Sequence, residues 1–594
     1  MHGNSQEQFR SRFAKLEAVY KHRNSPTDTA ALWIRYVFTS TRNVLLSGVY
    51  IFEDPVEFFW MMVYYIVTVI GLLVFEVVLK LAMVTRVLPF ILQGIMQHYG
   101  QGLSAVNLAN PGMFEYSPSK RVTKAMVNGK ERFSLDIAEF LLLISAVVYE
   151  RNDDDIKFAY DLYKDHRRHP NYGGTDDEVS EEIHGYMDAS LDAIKRLSSG
   201  WGMKFDHISE LNIVGAPFAS LWWNEKEKFI VVAFKGTTPW DYTEWITDAT
   251  YQKKEVESNF FPPDPIDVER DMNGKDRKGR SDVHAGFYDA LFPHKYGDTP
   301  KNSPYGCIID AVKEKIKELT REGDGDIPVW VTGHSLGAGY ASLFYASLKS
   351  CLAYNHNPLE TNDPDKILLG SKANLMDAYV FGCPAVGDLD FARQFDEACR
   401  KCMTADDGRN LGQFYRVVND LDPVTRVPFS WFNVLEFTTK GKPNVGQYPK
   451  MVKRDSLLDY TVIGNGIKVF SWGKDMQWGY SPINPKWKTA TPAGCPFWAP
   501  YVSICNFVVR VSRRFWMWVA RLVEALSEFN LAKLLVLFIP PLRDHFPSEY
   551  WLSLRQDPSN ENLEEEAAVR NHSTTPLNDG TIVAGHAVEV SVSL

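Results

Sequence analysis

The sequence predicts an α/β fold, a mostly parallel sheet flanked by helices, and three observations predict it. First, Phe229-Ile230-Val231-Val232-Ala233-Phe234 is apolar at every position, as a strand buried on both faces must be. Second, Ile327-Pro328-Val329-Trp330-Val331 is another short apolar run, and it leads through a glycine-rich turn into the small and apolar residues Gly339 to Ala346, which read as a buried helix. Third, Ala378-Tyr379-Val380-Phe381-Gly382 and Phe414-Tyr415-Arg416-Val417-Val418 each run into a polar, acidic turn. Buried strands alternating with helical stretches call for parallel pairing through crossovers.

The turn after the second strand carries chemistry. Gly333-His334-Ser335-Leu336-Gly337 has the form G-x-S-x-G between a strand and a helix. This is a nucleophile elbow: the sharp turn raises Ser335 in a strained conformation, and Gly333 and Gly337 are required because a Cβ at either would clash across it. A serine hydroxyl is a poor nucleophile unless a base and an oxyanion site face it. The alternative is a glycine-rich turn with a structural serine.

In this architecture the chain order is serine, then acid, then histidine. The strand from Phe414 runs into Asn419-Asp420-Leu421-Asp422-Pro423-Val424, where Asp420 and Asp422 compete. Pro423 favours an extended Asp422. Asp388 and Asp390 are weaker rivals, and the residues alone leave the acid open. Of the histidines beyond Asp422, His572 and His586 lie in a polar tail. His545 sits near apolar residues and the pair Tyr550-Trp551, so elimination selects it.

An oxyanion hole needs two donors. One is the backbone N–H of Leu336, the residue after the nucleophile. The other is expected where the strand from Phe229 ends in Lys235-Gly236-Thr237-Thr238, with Thr237 offering its N–H. The plainer reading there is an ordinary strand-end turn.

Together these residues resemble the class 3 lipase family, the α/β-hydrolases that include fungal triacylglycerol lipases. Its strand-plus-turn is matched by Val232-Ala233-Phe234-Lys235-Gly236-Thr237, its W-x-x-D by Trp245 to Asp248, its V-H-x-G-F by Val283 to Phe287, and its G-H-S-L-G by Gly333 to Gly337. The acid motif is matched by Arg416 to Asn419 with Asp422 and Pro428, and that alignment selects Asp422 over Asp420. Asp544-His545 with Tyr550 approximates the last motif, with two extra residues before the tyrosine. The resemblance covers roughly residues 205–425 and the end near 545. Three departures stand out: Lys235 where arginine is common, Pro423-Val424-Thr425 in the acid loop, and a long stretch between Asp422 and His545. The resemblance implies an α/β-hydrolase fold, the set Ser335, Asp422 and His545, the oxyanion pair Thr237 and Leu336, and a lid carrying Trp240 and Trp245.

Composition bounds the setting. The chain has 594 residues and a net charge of -10, so nucleic acid is not an expected partner. Seven cysteines, few and odd in number, argue against a secreted disulfide framework. Cys399-Arg400-Lys401-Cys402 has no second pair, and reads as two incidental cysteines on a helix. No metal or cofactor is implied.

Residues 1–57 are polar, without the apolar core and cleavage site of a secretory signal. Residues 58–97 hold the run Phe58 to Phe75, long enough for a transmembrane helix, and a second apolar stretch broken by Arg86 and Pro89. One span or a hairpin is expected, and a buried helical hairpin is the alternative. Lys80, Arg86, Lys120, Arg121 and Lys124 follow the run while Arg42 alone precedes it, which places the catalytic part in the cytosol at an intracellular membrane. Residues 98–125 read as a linker and 126–552 as the α/β-hydrolase domain with an insert at 429–540. In that insert Arg510, Arg513, Arg514 and Arg521 share one helical face opposite Phe515, Trp518 and Leu522, as in an interfacial helix or a core-packed one. Residues 553–594 read as an acidic, then Ser/Thr-rich tail without fixed structure.

The expected function is a membrane-associated serine lipase acting on tri- or diacylglycerol esters, with a lipid ester as substrate and a membrane or lipid droplet surface as partner. A phospholipase or other carboxylesterase is the alternative, and a catalytically silent lipase-like scaffold is the second.

Overall fold

The computed structural model describes residues 62, 66, 70, 107, 111–115, 118, 120–128, 133–168, 176–207, 219–236, 253–256, 268–270, 276–278, 281–292, 304–321, 325–354, 369, 372–403, 412–420, 422–428, 430, 459–470, 476–480, 488–489, 519 and 544–555. Its strands in chain order are β1 (Lys204–His207), β2 (Ala219–Asn224), β3 (Phe229–Phe234), β4 (Lys253–Glu255), β5 (Val268–Arg270), β6 (Asp276–Lys278), β7 (Asp282–His284), β8 (Ile327–His334), β9 (Ala373–Phe381), β10 (Phe414–Asn419), β11 (Asn465–Val469), β12 (Gln477–Tyr480) and β13 (Lys488–Thr489).

Nine of them form one sheet in the order β1-β2-β3-β8-β9-β10-β11-β12-β13. The pairs β3–β8, β8–β9, β9–β10 and β10–β11 are parallel, and antiparallel strands close both edges. This is the mostly parallel α/β fold that the apolar runs predict. Strands β3, β8 and β10 are buried along their whole length, because helices cover both faces.

The helices are α1 (Lys120–Asn128), α2 (Leu135–Val147), α3 (Asp153–Arg168), α4 (Asp176–Ala189), α5 (Asp192–Ser198), α6 (Ala285–Leu291), α7 (Pro304–Leu319), α8 (Leu336–Tyr354), α9 (Leu389–Met403) and α10 (Pro547–Arg555). Side chains alternate along a strand, so neighbouring residues of β8 report opposite layers. The indole of Trp330 donates to the carbonyl of Met126 in α1 (2.8 Å), and the Thr332 hydroxyl lies 3.2 Å from the carbonyl of Leu141 in α2. Val329 and Val331 instead join the cluster that holds Leu343 and Phe344 of α8 and Phe391 and Phe395 of α9. Helices α3 and α4 pack on each other through Ile156, Ala159, Val179, Ile183 and Met187.

Several boundaries differ from the sequence expectation. Strand β8 continues to His334 and α8 begins at Leu336, so the turn is tighter than the apolar pattern suggests. Strand β10 stops at Asn419 because Asp420 turns the chain with φ 31°. The stretch read as a linker contributes packed structure: Met113, Phe114 and Val122 are buried, and the Asn107 amide donates to the carbonyl of Ala146 at 2.9 Å. The insert at 429–540 supplies β11, β12 and β13, and so extends the sheet itself. At the far end α10 runs to Arg555, with Ser553 and Leu554 buried, beyond the expected limit of 552.

Of the apolar segment 58–97, only Met62, Ile66 and Ile70 are described. All three are helical, and Ile66 and Ile70 are 46% and 55% exposed. Among the described residues no helix is long and apolar enough to cross a membrane. The basic face Arg510, Arg513, Arg514 and Arg521 lies outside the described residues.

Candidate active site

The turn between β8 and α8 holds Ser335 at φ 58°, a left-handed conformation that costs a non-glycine residue energy. Packing enforces it. A Cβ on Gly333 would stand 2.4 Å from the carbonyl oxygen of Gly337, and one on Gly337 would stand 2.3 Å from that of Phe234 at the end of β3. The Ser335 N–H donates to the carbonyl of Phe381 at the end of β9 (2.9 Å). The elbow is thus wedged between the ends of its two neighbouring strands.

His545 lies opposite. Its Nε2 is 2.8 Å from Ser335 Oγ, and its Nδ1 is 2.9 Å from both Oδ1 and Oδ2 of Asp422. A carboxylate only accepts, so Nδ1 carries the proton, and Nε2 presents its lone pair to the serine hydroxyl. Asp422, 1% exposed, is buried just past β10. Its Oδ1 also accepts the N–H of Val424 (2.9 Å), and its own N–H donates to the carbonyl of Asn419 (2.9 Å). Of the two competing aspartates it is Asp422 that meets the imidazole. The Asp420 N–H is tied to the carbonyl of Val469 in β11 (3.0 Å). Asp388 lies at the start of α9, where it accepts the N–H of Phe391 (2.7 Å).

The Tyr550 hydroxyl donates to Asp422 Oδ2 at 2.5 Å. Burial, and after it the Asp422 charge, push the Tyr550 phenol well above its ordinary pKa, so it remains a donor. Asn419 clamps the histidine segment: its amide nitrogen donates to the carbonyl of Asp544 (3.0 Å), and its amide oxygen accepts from Ser553 (2.8 Å). Gly382, at φ 61°, passes beneath, where a Cβ would stand 2.9 Å from His545 Cε1.

The backbone N–H of Leu336 is among the first of α8, which have no partner within the helix. It directly follows Ser335 at the N-terminus of that helix. Thr237, Trp240 and Trp245 lie outside the described residues. Their neighbour Gly236 follows β3 directly beside the elbow. Cys399 and Cys402 are buried on α9, and burial holds the Cys399 thiol up at about 12.

Such an arrangement can move a proton from a serine hydroxyl to an imidazole and hold the imidazolium beside a buried carboxylate. The sequence reading left Gly382, Asn419 and Tyr149 without roles in the site. Asn419 stands in the acid motif, which is a signal for it. Tyr149 belongs to no motif.

Residues 231–432 match the family model "Lipase (class 3)". The chain is similar to phospholipase A1-Igamma2, chloroplastic, of Arabidopsis thaliana, with 28% identity over 34% of this chain and 31% of the relative. It is also similar to phospholipase A1-II 6 of Oryza sativa subsp. japonica, with 27% identity over 34% of this chain and 40% of the relative. The chain thus spans about a third of the length of the curated relatives it matches. Lipase II from Rhizopus niveus is a structural neighbour with a TM-score of 0.28 and 18% identity, over 51% of this chain and 79% of that one.

Proposed function

We propose, from the match of residues 231–432 to the class 3 lipase family model, that this chain is a serine hydrolase of acyl-lipid esters. Ser335 attacks the ester carbonyl, His545 takes its proton, and Asp422 orients and stabilises the imidazolium. The N–H groups of Leu336 and Thr237 hold the oxyanion. His545 then protonates the leaving alcohol, and water cleaves the acyl-enzyme with His545 again as base. The observation that carries this reading is the continuous Ser335–His545–Asp422 chain at 2.8 and 2.9 Å.

The substrate class is tri- or diacylglycerol, met at a membrane or lipid droplet surface. The apolar run from Phe58 to Phe75, with Ile66 and Ile70 exposed on a helix, supports attachment to such a surface. A second reading, hydrolysis of phospholipids, is favoured by the relatives named phospholipase A1.

A fluorophosphonate probe tests the reaction class. The wild-type chain should be labelled, and Ser335→Ala should not. Fatty acid release from diacylglycerol and from phosphatidylcholine vesicles, measured side by side, then separates the two substrate readings. An unlabelled wild type that turns over neither lipid would leave the silent scaffold as the better account.

A further inference from the structure

We propose that His334, held by Tyr149, is a positioning residue that fixes the backbone of His545; the inference rests on the serine-hydrolase reading above. His334 lies between Gly333 and Ser335, and its ring points into the interior, 2% exposed. Its Nε2 is 2.7 Å from the main-chain carbonyl of His545. A carbonyl only accepts, so Nε2 carries the hydrogen. Burial, reinforced by the nearby His545 ring, holds the pKa of His334 well below its ordinary value, so the imidazole is neutral. Its Nδ1 then offers a lone pair, and the Tyr149 hydroxyl lies 2.9 Å away to fill it. The chain of donors runs one way: Tyr149 to His334 to the carbonyl of His545.

The anchor answers a topological difficulty. His545 is 123 positions beyond Asp422 and 210 beyond Ser335, so no short loop fixes it against either. Two consecutive carbonyls of its segment are instead held by side chains from the strands that carry its partners. Asn419 at the end of β10 takes the carbonyl of Asp544, and His334 at the end of β8 takes that of His545. Neither residue hydrogen-bonds to the reacting atoms, although the His334 ring lies beside the His545 ring with centroids 4.7 Å apart. Tyr149 follows α2 and lies outside the segment that matches the family model. Its hydroxyl occupies the space that a Cβ on Gly236 would fill, 1.9 Å away, and so also abuts the turn before Thr237. One hydroxyl thereby braces the elbow and the oxyanion turn, and through His334 the histidine segment.

The test is the rate of Ser335 labelling by a fluorophosphonate at saturating and subsaturating probe, on full-length His334→Ala, His334→Gln and Tyr149→Phe. His334→Ala should lower the limiting rate about tenfold or more while the half-saturating concentration stays near wild type. His334→Gln, whose amide reaches the same carbonyl, should recover most of that loss. Tyr149→Phe should lower the limiting rate several-fold, and it carries the test if His334→Ala does not fold. A folded His334→Ala or Tyr149→Phe that labels at the wild-type rate would overturn the proposal, as would a glutamine variant no better than alanine. An unlabelled wild type would instead sink the hydrolase reading on which the proposal stands.

Discussion

The Tyr550 hydroxyl donates to Oδ2 of Asp422, so the carboxylate that holds the His545 ring is itself held from the helix that follows. The tyrosine is fully buried, and the bond goes to a charge. Hydrogen bonds to charged groups contribute roughly 1.5–3 kcal/mol. Tyr550→Phe should therefore lower unfolding free energy by about 2 kcal/mol and ester turnover by roughly tenfold, equivalent to about 1.4 kcal/mol of barrier. Urea unfolding and initial rates read the two effects. A turnover loss without any stability loss would contradict this picture.

Asp420 and Asp422 give a sharper contrast. Both are buried, yet only Asp422 reaches the imidazole. Asp422→Asn should cost roughly three to four orders of magnitude in turnover, because an amide presents a donor to the ring and favours the wrong tautomer. Asp420→Asn should cost less than about tenfold. Ser335→Ala and His545→Ala should each be severe, and the double mutant little worse than either. If Asp420→Asn proves the more damaging aspartate variant with the fold intact, the acid is misassigned.

Gly382 tests how tightly the site is packed from beneath. A Cβ there would stand 2.9 Å from His545 Cε1 and 3.0 Å from Asp422 Oδ2, on a backbone at φ 61°. Gly382→Ala should push the ring off Ser335 and lower turnover by roughly a hundredfold or more. Fluorophosphonate labelling should fall in parallel. A variant that labels at the wild-type rate would show that the segment shifts freely.

Asp377 predicts how stability depends on pH. Burial raises its carboxyl from 3.8 to about 7, against the opposing pull of the Gln413 N–H and Lys349. Between those two values the folded chain holds a proton that the unfolded chain has lost. The contribution of Asp377 to stability therefore falls as pH rises from about 4 to about 7, and stays low above that. Asp377→Asn, which cannot ionise, should flatten the decline. Urea midpoints for both chains at pH 5 and pH 8 read it, and identical slopes would refute the assignment.

The proposed surface attachment is read by fractionation and by kinetics. Deleting residues 58–97 should release the chain from carbonate-washed membranes, unless the arginines Arg510, Arg513, Arg514 and Arg521, expected from the sequence to share one face, retain it at roughly 1 kcal/mol each on anionic lipid. Activity on a long-chain ester should rise sharply once the ester forms droplets, and Trp240→Ala or Trp245→Ala should blunt that rise more than hydrolysis of a soluble short-chain ester. A full-length chain that purifies as a monomer without detergent would remove the membrane reading.

By itself the sequence determined what is written in local pattern. The buried strands β3, β8, β9 and β10 are legible because a strand covered on both faces must be apolar throughout. The elbow is legible because its strain permits few residues on either side of Ser335. Chain order then points to His545, while the choice of Asp422 over Asp420 comes from the family resemblance and not from the residues alone. What only the tertiary structure decided is how distant segments meet. Strands β11 to β13 pair through backbone groups, which leave little trace in a short sequence run, so the region read as an insert extends the sheet. Met113, Phe114 and Val122 are too few to form a periodic stretch, yet they are buried ahead of the expected domain start. Tyr149, His334 and Asn419 hold the site by hydrogen bonds across 185, 211 and 125 positions. A hydrogen bond depends on distance and direction in space, and separation along the chain encodes neither.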